Sequence, residues 1–175
     1  PACRNGDLEM PHEPEVEQRA AQPYVGIRMP VTMEGFGAVI DAGFPEIFGW
    51  LEEHGIARAG PPFIRYLVID MEAQLEVELA VPVRGEVEGD GRVRVDVLPA
   101  GRYVTFRHVG SYDGLIASNA ALQQWAQEQG IALDSWATER GSAWRGRVEH
   151  YVTDPSTEPD PAKWEVDVAY LATGS

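Results

Sequence analysis

Five consecutive residues of this chain, Arg147-Val148-Glu149-His150-Tyr151, place several reactive side-chain types within one short stretch. In a β-strand successive side chains point to opposite faces, so Arg147, Glu149 and Tyr151 share one face while Val148 and His150 take the other. A carboxylate then stands beside a phenol and near a guanidinium. Two chemistries are open to it. Ionised among aromatic faces it attracts an organic cation, each ring adding ~0.5–2 kcal/mol once water is excluded. Exposed, it forms with Arg147 a solvated ion pair worth roughly 0–1 kcal/mol.

Other chemistries lack support. His12, His54, His108 and His150 are scattered, and no pair has the i, i+4 spacing of helical metal ligands. Gly-x-Ser-x-Gly, the phosphate-cradling glycine loop, His-Glu-x-x-His and Cys-x-x-Cys are absent. Serine hydrolase, nucleotide triphosphatase and zinc enzyme readings lose their usual basis, and neither a metal nor a cofactor is expected.

The elements that must position Glu149 emerge when the chain is compared with itself. Trp50-Leu51-Glu52-Glu53-His54-Gly55-Ile56 aligns with Trp125-Ala126-Gln127-Glu128-Gln129-Gly130-Ile131, each the end of an amphipathic helix closing at a glycine. Tyr24 to Arg28 aligns with Tyr103 to Arg107, Arg65-Tyr66 with His150-Tyr151, and Glu76 to Val81 with Glu165 to Tyr170. Each half therefore reads strand, helix, strand, strand. The spans are roughly 15–29, 34–54, 63–71 and 74–83, then 92–108, 112–129, 144–153 and 164–172. The fold class is α+β: two repeats, about 15–84 and 92–172, joined by a linker at about 85–91 whose turn signal is Gly89-Asp90-Gly91. Phe36, Phe44, Phe48 and Trp50 suit a helix face on the sheet, and Pro45 predicts a kink or break near 43–45. The alignment lays Ile64 and Tyr66 over Glu149 and Tyr151, so Tyr66 would approach the same place from the opposite half. The seam between halves is the natural concavity for a ligand.

Several stretches together resemble a known family. They are Gly60-Pro61-Pro62-Phe63-Ile64-Arg65-Tyr66 running to Asp70, Val81-Pro82-Val83, Leu98-Pro99-Ala100-Gly101-Arg102-Tyr103, His108-Val109-Gly110-Ser111-Tyr112, the Trp125 to Gly130 helix end, and Glu149 to Pro155. Over about residues 15 to 172 the chain resembles the gyrase-inhibitor-like (GyrI-like) domain, also called the transcription-activator effector-binding domain. The resemblance implies a duplicated β-α-β-β (SHS2-type) fold with an antiparallel sheet and a central groove for small, aromatic, cationic molecules. The family's buried glutamate on the penultimate strand falls on Glu149. With the fold starting near residue 15, the chain is similar to the stand-alone branch, which includes drug-binding proteins, a DNA gyrase inhibitor, and hydrolases that open cyclopropane rings of DNA-alkylating natural products. Glu149 is then the counter-ion of a ligand, or the catalytic base or stabiliser of a hydrolase. Tyr66, Tyr112 and Tyr151 are candidate groove walls, with Trp125 and Trp144 as further candidates.

Composition bounds the rest. At 175 residues, 44% hydrophobic and 24% charged, the chain suits one domain with an ordinary core. A net charge of −14 repels polyphosphates, so direct nucleic-acid binding is not expected. One cysteine, Cys3, makes no internal disulfide, and no apolar run reaches the ~18 residues of a membrane helix, so the expected address is the cytoplasm. Residues 1–14 read as a flexible extension. Asp70, Glu72, Glu76, Glu78, Glu86, Glu88 and Asp90 form an acidic stretch, read either as a solvated hairpin or as a face for a basic partner such as gyrase.

Overall fold

A computed structural model describes residues 13–70 and 72–174. In chain order the elements are β1 (Glu15–Arg19), β2 (Gln22–Val31), α1 (Phe36–Glu53), β3 (Phe63–Ile69), β4 (Leu75–Pro82), β5 (Arg94–Leu98), β6 (Gly101–Val109), α2 (Leu115–Glu128), β7 (Ser135–Thr138), β8 (Gly141–Trp144), β9 (Arg147–Tyr151) and β10 (Glu165–Leu171). A 3-10 turn over Tyr112–Gly114 leads into α2. The sheet is antiparallel, in the order β1-β6-β10-β9-β3-β4-β2-β5, with β8 also pairing β3 and β7 pairing β8.

Within each half the first long strand pairs with the last, and the last with the middle one: β2-β4-β3 and β6-β10-β9. The two middle strands meet at the centre, where Ile64 pairs with Glu149 and Arg65 with Val148. Two strands expected to be continuous are broken. The span 15–29 divides at Ala20-Ala21, β1 pairing with β6 while β2 pairs with β4 and β5. The span 92–108 divides at Pro99-Ala100, where proline has no N–H for the ladder. Each break therefore sends a short leading strand onto the other half. Because two residues connect strands at opposite ends of the order, the sheet must curl until its ends approach.

One sheet face carries both helices. Val25, Ile27, Phe44, Ile47, Leu51 and Leu79 belong to the core under α1, while Val104, Phe106, Leu115, Leu122, Val166 and Tyr170 belong to that under α2. The curled inner face holds a third cluster that includes Tyr24, Phe63, Tyr103, Val148 and Leu171. Both helices stop at a glycine in the left-handed region, Gly55 at φ 65° and Gly130 at φ 71°. The next residue's N–H returns to the last turn in each, Ile56 to the Leu51 carbonyl and Ile131 to that of Ala126, both at 2.9 Å.

The break expected near Pro45 is absent: α1 runs unbroken from Phe36 to Glu53. Buried Phe44, Ile47 and Leu51 clamp it on both sides of the exposed proline, so tertiary packing outweighs the local cost of ~3 kcal/mol. The acidic stretch is also less solvated than expected. Glu78 turns to the inner face at 5% exposure and accepts from the Tyr24 hydroxyl at 2.9 Å, while Glu76 pairs with Arg28 at 2.8 Å. The β7-β8 hairpin answers to no expected strand except at its last residue. Most of the 1–14 extension, with Cys3 and His12, lies outside the described residues. No helix among the described residues is long and apolar enough to cross a membrane.

Candidate functional site

On the helix-bearing face, β9 presents Arg147, Glu149 and Tyr151, and the adjacent β3 presents Ile64 and Tyr66. Glu149 is 4% exposed. An isolated carboxylate so deep would be costly, and hydrogen-bond donors offset that cost. The hydroxyls of Tyr66 and Tyr151 both donate to Oε1, the second at 3.0 Å. Asn119 Nδ2, from α2, donates to Oε2 at 2.9 Å. Both halves therefore grip one carboxyl group.

Asn119 is itself held. Its Nδ2 also donates to the Leu115 carbonyl at 2.8 Å, and its Oδ1 accepts from the Tyr170 hydroxyl. Gln123 Nε2 donates to the Tyr170 oxygen at 3.1 Å. The chain Gln123, Tyr170, Asn119, Glu149 thus fixes the carboxylate plane from α2. Burial, reinforced by the negative charge of Glu149, pushes the Tyr66 and Tyr151 phenols well above their ordinary pKa. They remain protonated donors.

Aromatic rings surround this centre. Tyr66 stacks on Phe36 of α1 with centroids 6.2 Å apart and planes 18° apart. Tyr151 meets Tyr112 edge-on at 5.5 Å and Phe44 edge-on at 6.4 Å, and Tyr112 leans on Trp164 at 4.8 Å. Phe36, Tyr66, Tyr112, Tyr151 and Trp164 are half-buried, whereas Glu149 is buried.

Arg147 does not pair with Glu149; no ion pair of Arg147 occurs among the described residues. Its guanidinium lies over the rings of Trp144 at 4.7 Å, Tyr170 at 5.0 Å and Tyr66 at 5.6 Å. The structure therefore brings Glu149, Tyr66, Tyr112 and Tyr151 together and attaches Trp144 through Arg147. Trp125 packs on the core under α2, the same cluster that Tyr112, Trp144 and Tyr151 pack against. Asn119, Tyr170, Phe36 and Trp164 were missed. Asn119 had a signal: Leu115, Asn119, Leu122 and Ala126 form the buried stripe of α2, and an amide on such a stripe needs a partner.

Cavities of about 640 and 690 Å³ lie elsewhere. The first runs along α2 beside Gln123 and Gln127, the second on the inner face beside Arg19 and Asp167. Neither cavity is lined by Glu149 or by Tyr66, Tyr112 or Tyr151. Among the described residues no cluster of three or more His, Cys, Asp or Glu could hold a metal ion.

A curled antiparallel sheet with two helices on one face, gripping a single acid between its halves, defines a class of α+β ligand-binding domain. The chain belongs to the GyrI-like small molecule binding domain family, which it matches over residues 12–170. No curated protein sequence matches it. Among solved structures it is similar to the C-terminal domain of EcmrR, with TM-score 0.77 and 20% identity over 95% of this chain and 100% of that one. In an EcmrR–DNA complex it spans 58% of the EcmrR chain and 93% of its own, with TM-score 0.77 and 22% identity. A hydrolase from Listeria innocua aligns with TM-score 0.63 and 15% identity over 92% of each chain. SAV2435 bound to tetraphenylphosphonium aligns with TM-score 0.59 and 11% identity over 93% of this chain and 94% of that one. At these identities the likeness is one of fold.

Proposed function

We propose that residues 15–172, two similar halves acting as one unit, bind aromatic organic cations at the seam, with Glu149 as counter-ion. The observation that carries this is a carboxylate at 4% exposure whose three donors are two phenols and an amide, none of them a cation. Its negative charge is thus hydrogen-bonded but not neutralised by contact. A flat cation sliding among Phe36, Tyr66, Tyr112 and Tyr151 gains ring contacts and meets that charge at low dielectric. The tetraphenylphosphonium held by SAV2435, a protein of the same fold, supports a ligand of this class.

The hydrolase alternative would use the same carboxylate as base or stabiliser in opening a cyclopropane ring. The donors that hold both Glu149 oxygens as acceptors suit a fixed counter-ion better than a group that must take and release a proton. A gyrase-binding acidic face is weakened by the engagement of Glu76 and Glu78 within the sheet.

Glu149→Gln removes the charge at constant shape. It should weaken a lipophilic aromatic cation by about tenfold or more, on the order of 1.4 kcal/mol, and leave a neutral isostere little changed, as read by calorimetric titration. Equal losses for both ligands would remove the counter-ion role.

A further inference from the structure

Several arginines are held by acids or by oxygen acceptors, and Arg65 also donates to the Tyr24 hydroxyl at 2.7 Å; Arg147 instead lies among aromatic rings. Arg19 reaches Asp167, Arg28 reaches Glu76, Arg65 reaches the Arg145 carbonyl, and Arg145 reaches Asp134. The Arg147 side chain makes no hydrogen bond or ion pair with any described residue. Its Nε is buried without a partner, and so is Nε1 of Trp144, the ring beneath its guanidinium. Two donors with nothing to donate to thus lie together, and a buried donor left so is unfavourable until an acceptor arrives. The guanidinium lies over Tyr66, the same ring whose hydroxyl holds Glu149. Arg147 and Glu149 are two residues apart on one strand face, about 7 Å along the backbone.

From this arrangement we propose that Arg147 is a second polar anchor of the site, binding a carboxylate or comparable anionic oxygen group of the ligand. The preferred ligand is then a dipolar aromatic molecule, cationic at the Glu149 end and anionic at the Arg147 end. The proposal rests on the cation reading above and narrows it. The two protein charges formally cancel, so a simple cation gains at Glu149 and is opposed at Arg147, whereas a zwitterion is favoured at both. The planar fork of the guanidinium, backed by aromatic rings, matches a carboxylate bidentately.

The test compares N-(3-carboxypropyl)acridinium with its methyl ester by calorimetric titration of the whole chain. The wild type should bind the free acid at least about tenfold more tightly than the ester. Arg147→Gln should bring the acid down to the level of the ester, with an unchanged circular dichroism spectrum. Arg147→Lys keeps the charge but loses the fork, so it should lower the preference without removing it; it provides the readout if the Gln variant does not fold. Equal affinities in the wild type, or a preference that survives in the folded Arg147 variants, overturn the proposal. Glu149→Gln separates this from the underlying reading: it should weaken both ligands while the acid preference persists. If it weakens neither while Arg147→Gln still abolishes the preference, the counter-ion role falls and the Arg147 anchor stands. Binding of neither ligand up to about 1 mM overturns both.

Discussion

His150 and Glu149 are neighbours on β9, yet alternation gives them opposite fates. Glu149 faces the helices and is met by three donors. His150 faces the curled interior, its ring 4.8 Å from that of Phe63, and its Nδ1 is buried without a hydrogen bond. Burial lowers its pKa from 6.5 to about 4, although Asp167 at 3.8 Å acts in the opposite direction. The unfolded chain therefore takes up a proton near pH 6.5 that the folded protein refuses until about pH 4. Stability from the neutral ring is fully present above pH 6.5 and is lost as pH falls through that window, by roughly 3 kcal/mol in all. Urea denaturation of the wild type and His150→Phe at pH 7 and pH 4.5 should show a smaller acid loss in the variant; equal losses would refute the assignment. At this scale Glu149, Tyr151 and Tyr66 were legible, because strand alternation and the aligned halves place them. Of the two chemistries open to Glu149, the ion pair with Arg147 is the one the structure does not form. Spacing puts two charges on one face but cannot tell that Trp144 and Tyr170 offer the guanidinium a ring surface instead.

Helix ends were the most legible elements, since a glycine after a Trp-led amphipathic turn has a local mechanism. The strand breaks were less so. Pro99 is a breaker that the continuous reading of 92–108 passed over, whereas Ala20-Ala21 carries no breaker signal, and only pairing with the distant β6 defines the end of β1. The short β7-β8 hairpin likewise owes its place to contact with β3 rather than to its own periodicity. Gly43 illustrates what sequence hid within α1. It lies within the stretch where Pro45 predicts a kink or break, but a Cβ there would lie 2.3 Å from Leu79 Cδ1, so the missing side chain is what lets the helix approach β4. Gly43→Ala should thus destabilise the protein by about 1–3 kcal/mol in guanidinium denaturation, the overlap outweighing the better helix propensity. An unchanged or raised midpoint would show that Leu79 repacks freely.

For the whole molecule, the family and the α+β class could be read from motif order, but the strand order could not. β1 lies on β6 of the second half and β5 lies on β2 of the first, with full five-residue registers in both pairings. The segment between the halves, residues 85–91, is mostly exposed and contains no strand. Cleavage there by a protease should yield two fragments that co-elute in size-exclusion chromatography and retain the circular dichroism of the intact chain. Separation under native conditions would contradict the pairing.

This mutual exchange of leading strands also limits how a guest can enter. Halves that each hold the other's first strand resist swinging apart about a hinge, so at the proposed seam site admission would fall to the rotation of individual rings, Tyr66 and Tyr112 first among them. The protein should then acquire and release its guests through local side-chain breathing, with its overall dimensions nearly constant between empty and filled states.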